Sequence, residues 1–210
     1  MKKEVPYRWG VKVNPKLKDV ISYCKKRGNA LDLGCGLGAN SKYLIQQGFF
    51  VSCVDSNQSL LEKLKKDFKK NKLFKKAGII HANIENFIPV KKYDLILAIS
   101  VLHFLKLEIV KNIMIKMKKS LRRGGIIFIR AFSNKDDDFK RLKKKGLQSG
   151  INEIFSPKLN KSIHYFNKKE TQDILKGFEM IKIEEYRRCD KHPPVGVHNH
   201  YVFDVIVRKK

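Results

Sequence analysis

The segment Ala30-Leu31-Asp32-Leu33-Gly34-Cys35-Gly36-Leu37-Gly38-Ala39-Asn40, followed by Phe49-Phe50-Val51-Ser52-Cys53-Val54-Asp55, restricts the folds open to this chain more than any other stretch of it. It predicts a buried strand, a glycine turn that opens a helix, and a second buried strand ending in a carboxylate. Glycines have no Cβ, so the backbone after the first strand can turn sharply and a ligand can lie against its amides. Asp55 follows near the offset, about 20 residues past the glycines, at which the acidic residue of a Rossmann-type unit accepts hydrogen bonds from ribose hydroxyls. The pattern points to an α/β domain with a nucleoside held between its first two strands.

The glycine spacing selects among nucleoside cofactors. A dinucleotide site uses G-x-G-x-x-G, with the pyrophosphate on the helix N-terminus and the third glycine allowing close helix packing. The run here is G-C-G-L-G, which argues against a nicotinamide dehydrogenase. With Asp32 before it and Asp55 after it, the run resembles the first motif, D-x-G-x-G-x-G, of the class I S-adenosylmethionine-dependent methyltransferases. That resemblance implies S-adenosylmethionine as cofactor and S-adenosylhomocysteine as product. It also implies a doubly wound α/β fold: a seven-stranded Rossmann-like methyltransferase sheet, mostly parallel, with one antiparallel strand in a C-terminal hairpin.

Length and composition agree with one such domain. A chain of 210 residues buries one good core and leaves little room for a second, so residues 1–210 read as a single domain. No apolar stretch approaches the roughly 20 residues of a membrane span, and the opening Met1-Lys2-Lys3-Glu4-Val5-Pro6 lacks the apolar region of a signal peptide. The expected location is the cytoplasm. Cys24, Cys35, Cys53 and Cys189 show no paired spacing and are expected as reduced thiols. A formal net charge of +26 invites a nucleic-acid reading, because Lys and Arg neutralise phosphates. Yet the excess is spread over both halves of the chain and is mostly lysine, whereas bidentate phosphate recognition favours arginine. Most of it reads as a solvated surface, and nucleic acid is the less favoured partner.

Periodicity places the remaining elements. A leading helix is expected over residues 15–27, ended by Gly28 and Asn29, and another over 40–47. Leu60, Leu64 and Phe68 at i, i+4 and i+8 predict a third helix with a lysine-rich outer face. Residues 78–83 read as a third strand and 93–100 as a continuous apolar fourth, buried on both faces as parallel strands are. Leu107, Val110, Met114, Met117 and Leu121 form a helical core stripe closed by Gly124-Gly125, with strand five at 126–132. Residues 133–162 break the rhythm and read as a polar, irregular insertion that covers the substrate. A short helix at 168–176, a strand at 180–186 and a last strand at 201–207, the two strands joined by about a dozen residues, give the closing hairpin.

In such a sheet the ligand lies beyond the carboxyl ends of the parallel strands. The resemblance assigns the ribose hydroxyls to Asp55, with Ser56 beside it, the adenine amino group to Asn83, and a cover over the adenine ring to Ile84. Asp32, Gly34, Cys35, Gly36, Gly38 and Asn40 would lie along the methionine part, with Ser100 following the fourth strand. Asn83 departs from the aspartate common in the family, but its carbonyl still accepts from the adenine amine. Tyr7, Arg8 and Trp9 form an aromatic-basic cluster within an N-terminal lid and helix of residues 1–28, which reads either as a lid whose Arg8 meets the cofactor carboxylate or as simple surface packing.

The acceptor is read from two further stretches. Methyltransferases of exocyclic base amines often carry an Asn/Asp-Pro-Pro-aromatic turn after the fourth strand. Here the residues are Ser100-Val101-Leu102-His103-Phe104, the form of many small-molecule members. His103 reads either as a proton acceptor or substrate contact, or as a histidine packed at a helix start. The tail from Cys189 to His200, with its H-P-P and H-x-H elements, is similar to that of the compact methyltransferases of the tellurite-resistance type. Strand six is parallel in this topology, so the tail emerges on the cofactor side. His192, His198 and His200 are candidate substrate contacts, with His103 and His198 the candidate proton acceptors. A polar hairpin loop is the plain alternative; a metal held by His198 and His200 with His192 or Cys189 is a less favoured one, and no metal ligand is assigned. These readings imply methyl transfer by in-line displacement to a small acceptor such as a thiol or chalcogen oxyanion. RNA methyl transfer, and a non-catalytic cofactor- or nucleic-acid-binding protein of the same fold, are the alternatives.

Overall fold

The apolar runs of the sequence form the middle of one sheet in a computed structural model of the chain, which describes residues 11–157, 159–192 and 196–210, with the backbone alone at 190–192 and 196–198. The first half alternates strand and helix: α1 (Leu17–Ser22), β1 (Asn29–Leu33), α2 (Ala39–Gln46), β2 (Phe50–Asp55), α3 (Gln58–Lys70), β3 (Ala77–His81), β4 (Tyr93–Ile99), α4 (Leu107–Ser120) and β5 (Leu121–Phe132). Then come α5 (Asp137–Lys144), three short strands β6 (Gln148–Gly150), β7 (Glu153–Ser156) and β8 (Lys161–His164), α6 (Lys168–Ile174), and the long pair β9 (Glu179–His192) and β10 (Gly196–Arg208).

The main sheet runs β3-β2-β1-β4-β5-β10-β9. Its first five strands pair parallel, and β10 lies antiparallel between β5 and β9. This is the expected seven-stranded sheet with its terminal hairpin. Strand order reverses between β1 and β4, which puts a crevice at their carboxyl ends.

Two apolar layers hold the sheet. On one face α1, α2 and α3 lay Leu17, Val20, Leu44, Leu64 and Phe68 against Ala30, Val51, Leu95 and Phe128. On the other, Val110, Met114 and Met117 of α4 meet Leu31, Ile96, Ile127 and Val205. Each such side chain is worth roughly 1.5–3 kcal/mol when fully buried. The methionines are therefore core, as their spacing implies. Among the described residues no helix is long and apolar enough to cross a membrane.

One polar group is sealed inside this stack. Arg130 of β5 donates through Nε and Nη2 to the two carboxylate oxygens of Asp204 on β10, both at 2.6 Å, and the Tyr186 hydroxyl of β9 donates to the same carboxylate at 2.6 Å. Arg130 and Asp204 are almost fully buried. The bidentate geometry satisfies the charges that burial would otherwise leave costly.

Several expectations are corrected. The leading helix is only Leu17–Ser22. In α3 the buried stripe is Leu61, Leu64 and Phe68, and Leu60 lies at its margin. Gly124 and Gly125 fall within β5 rather than ending α4, which stops at Ser120. The stretch 133–162 is not irregular. It folds as α5 and the antiparallel sheet β6-β7-β8 around its own small core of Phe139, Leu142, Ile154, Ile163 and Tyr165. Asp136 caps α5 by accepting from the Asp138 amide, with acid in the first turn and base in the last, which suits the helix dipole. The closing strands are also longer than expected, so that His192 already pairs with Gly196.

Candidate active site

The loop after β1 is built as its glycines require. Gly34, Gly36 and Gly38 have φ of +69°, +56° and +77°, the left-handed region that favours glycine. A Cβ on Gly34 would meet Val101 Cγ2 at 2.6 Å, and one on Gly38 would meet Leu64 Cδ1 at 2.3 Å. At these two positions the missing side chain makes room for the protein's own packing, a reason separate from ligand approach. The Gly34 and Cys35 amides both donate to the Val54 carbonyl, which carries the loop across to β2.

Asp55 closes β2 facing this loop. Its Oδ2 accepts from the Gly36 amide and its Oδ1 from the Asn57 amide, each at 2.8 Å. Asp32 sits behind the loop, 2% exposed, and accepts from the Ser41 hydroxyl at 2.6 Å. Burial pushes its carboxyl up to about 6. The Cys35 thiol is pushed well up by its hydrogen bond with Cys53 and by burial, so it stays a thiol.

The other expected contacts are spread along the same rim. Asn40 Oδ1 accepts from the Asn14 amide at 2.8 Å, which ties the N-terminal segment to α2. Ser56 is exposed, and its carbonyl lies 3.0 Å from His81 Nε2. Asn83 Oδ1 caps its own turn at the Glu85 amide, and Ile84 is buried in the α4 core layer. Ser100 holds a left-handed φ of +57° directly after β4, and its amide donates to the Arg130 carbonyl. A non-glycine residue in that region is the kind of local strain that functional sites concentrate.

His103 is 1% exposed in a 3-10 turn after β4, and neither ring nitrogen has a hydrogen-bond partner among the described residues. Burial pulls its pKa down to about 3. It is a neutral ring and a poor proton acceptor. Its face stacks on Phe132 at 3.9 Å between centroids, and Phe132 stacks in turn on His200 at 4.5 Å. His200 Nδ1 lies 3.0 Å from Oδ2 of the fully buried Asp136. The structure thus brings His103 and His200 to one wall, joined by Phe132 and Asp136, which the sequence reading did not single out. Arg8, with Tyr7 and Trp9, and the side chains of His192 and His198 lie outside the described residues. Among the described residues no cluster of three or more His, Cys, Asp or Glu side chains could hold a metal ion.

This strand order, with a left-handed glycine loop facing a carboxylate at the switch point, defines a domain of the class I methyltransferase fold. The chain belongs to the family of the tellurite resistance protein TehB, whose model matches residues 5–141. It is 35% identical over 118 residues to a probable S-adenosyl-L-methionine-dependent methyltransferase TehB of Haemophilus influenzae; the match covers 56% of this chain and 39% of the relative. The crystal structure of TehB from Haemophilus influenzae superposes with a TM-score of 0.73 at 23% identity, covering 94% of this chain and 63% of that one. A Burkholderia thailandensis 1,6-didemethyltoxoflavin-N1-methyltransferase, solved with S-adenosylhomocysteine bound, shares the fold at a TM-score of 0.69 and 15% identity, over 94% of this chain and 77% of that one. The chain thus spans about two fifths of the length of the curated relative it matches.

Proposed function

We propose that the chain binds S-adenosylmethionine across the carboxyl ends of β1, β2 and β4 and directs its methyl group to a small-molecule acceptor by in-line displacement. The observation that carries this reading is Asp55, held by the Gly36 and Asn57 amides. Each oxygen accepts one amide and keeps a lone pair for a ribose hydroxyl. The rest of the rim suits the same ligand. Asp32 is a buried carboxylate beside the loop, and a cationic amine near it would offset its desolvation. Asn83 and Ile84 flank the adenine, and Gly34 to Gly38 with Asn40 and Ser100 line the methionine part.

When bound, the cofactor supplies an electrophilic methyl on a sulfonium sulfur. The chain's own task is to hold the acceptor about 3 Å from that carbon and in line, with water excluded. The insertion of α5 and β6 to β8 serves as the cover over the acceptor. The family membership and the name of the Haemophilus relative support the activity. The four free cysteines fit a reducing cytoplasm.

Calorimetric titration with S-adenosylhomocysteine, beside NADH, tests the reading. Wild-type protein should bind S-adenosylhomocysteine with a dissociation constant on the order of micromolar and ignore NADH, and Asp55→Ala should abolish binding. A folded protein that binds no S-adenosylhomocysteine would overturn the proposal and turn attention to the lysine-rich surface.

A further inference from the structure

Helices α4 and α6 lie side by side on one face of the main sheet. Each leads into a strand, β5 or β9, that is antiparallel to β10, so the two helices point the same way. Val110, Met114 and Met117 of α4 share one apolar layer with Leu175 and Phe178, which follow α6. Between the helices the surface dips into a groove of about 510 Å³, a volume usual for small-molecule sites. Leu107, Met114, Ile115, Ile174 and Phe178 make its apolar floor. Ile115 is 53% exposed there, beside the buried Met114.

The rim of the groove is cationic. Lys111, Lys118, Lys169 and Lys176 line it, against the two acids Glu170 and Asp173. Glu170 is engaged by His164 Nε2 at 2.9 Å, and Lys111 by Glu108 at 2.7 Å. Among the described residues no carboxylate pairs with Lys118, Lys169 or Lys176. Lys118 is also held in place, since its ammonium lies over the Phe178 ring at 5.2 Å and a Cβ on Gly177 would come within 2.4 Å of it. Gly177, at a φ of +85°, thus leaves room for that ammonium where α6 ends. From Leu107 to Lys118 the wall made by α4 rises about 16 Å.

We propose that this groove binds a free long-chain carboxylate, its head on Lys118 and Lys176 and its alkyl chain along Met114, Ile115 and Ile174 toward Leu107. The site lies on the helical flank of the sheet, away from the strand ends, and does not depend on the methyltransferase reading. The head gains charge-assisted hydrogen bonds from lysines that lack a counter-charge, and the chain gains apolar burial on the floor. An inorganic anion would leave that floor unused. A bilayer surface is flat and cannot fill a groove. A second copy of a chain with a net charge of +26 brings more lysines and no counter-charge.

Calorimetry of the full chain with octanoate, decanoate and dodecanoate, each below its micellar concentration and without cofactor, tests the proposal. Affinity should rise about 2- to 4-fold for each added methylene. Lys118→Ala combined with Lys176→Ala, and separately Ile115→Asp, should each weaken decanoate binding by about 10-fold or more. None of these three side chains is buried, so the thermal midpoint should stay near that of wild type. Methyl NMR should show decanoate shifting Met114 and Ile115 while sparing Ile45 on the opposite face of the sheet. Decanol bound as tightly as decanoate, variants that bind like wild type, shifts away from the groove, or no binding at all would each overturn the proposal. Phosphatidylglycerol vesicles separate a lipid headgroup from a free carboxylate: sedimentation of the protein with them should be indifferent to the two lysine substitutions, and dependence on them would overturn the free carboxylate as occupant. An amphipathic helical peptide of leucine and glutamate that shifts Met114 where decanoate does not would overturn it in favour of an acidic protein partner.

Discussion

The Ser41 hydroxyl donates to the Asp32 carboxylate over 2.6 Å behind the glycine loop, and both residues are buried. Burial still lifts the carboxyl from 3.8 to about 6, so desolvation outweighs the hydrogen bond. A group that holds its proton more tightly when folded adds stability below its unfolded pKa and loses it as pH rises through the folded one. From this residue, the protein should lose roughly 2–3 kcal/mol between about pH 4 and pH 6. In urea titrations across that range Asp32→Asn should flatten the slope and be the more stable protein at pH 7, while its affinity for S-adenosylhomocysteine falls.

Gly38 combines a left-handed φ with Leu64 pressed against it. Gly38→Ala should cost about 2–5 kcal/mol, the sum of a backbone penalty and an overpacking penalty. Adding Leu64→Ala removes the clash and leaves the backbone term. The double variant should therefore lose less stability than the two single losses added together, as read by a double-mutant cycle in chemical denaturation.

The buried pair of Arg130 and Asp204 is expected to be costly to break on one side only. Asp204→Ala removes the carboxylate that neutralises the buried Arg130 guanidinium and should destabilise by about 3–5 kcal/mol. Tyr186→Phe removes one donor to the carboxylate and should cost about 1 kcal/mol. Urea midpoints at constant slope would check both, and an Asp204→Ala loss below that of Tyr186→Phe would contradict the account.

His164 closes β8 and joins the insertion to α6. Its Nε2 lies 2.9 Å from Glu170 and its Nδ1 3.8 Å from Glu153. Glu170→Ala leaves a buried ring nitrogen without that partner, a loss of about 1–3 kcal/mol. Hydrogen exchange should quicken in β8 and α6 and stay slow in β1 and β4.

The parallel core was legible because its strands are bare apolar runs, and the first motif because left-handed turns admit few residues besides glycine. The α3 stripe slipped because the Leu60-Leu61 doublet fits two phases of a helix, and only packing chooses Leu61. The insertion resisted reading because Phe139, Leu142, Ile154, Ile163 and Tyr165 are scattered over three short elements and the residue after β8, and no single element shows an apolar face long enough to count. Asp136 did leave a signal, an acidic cap followed by Asp137 and Asp138 ahead of Phe139, which is a helix-start pattern. His103 left none: a histidine after a strand looks the same on paper whether it is solvated or sealed under Phe132.

The ribbon of β9 and β10 runs past the body of the sheet, since β10 pairs with β5 only from Val202 to Arg208 but with β9 from Gly196 onward. β9 is thus a 14-residue outermost strand, whereas β3 at the opposite edge has five residues. A long outer strand is a template on which a second molecule can add its own. Glu179, Lys182, Glu184, Glu185, Arg187 and Arg188 set both signs of charge along it, the kind of pattern that blocks edge-to-edge growth. The acids that so basic a chain retains on β9 therefore guard it against aggregation while also tying it to its neighbours, Glu184 to Lys16 and Glu185 to Ser133 and Lys135.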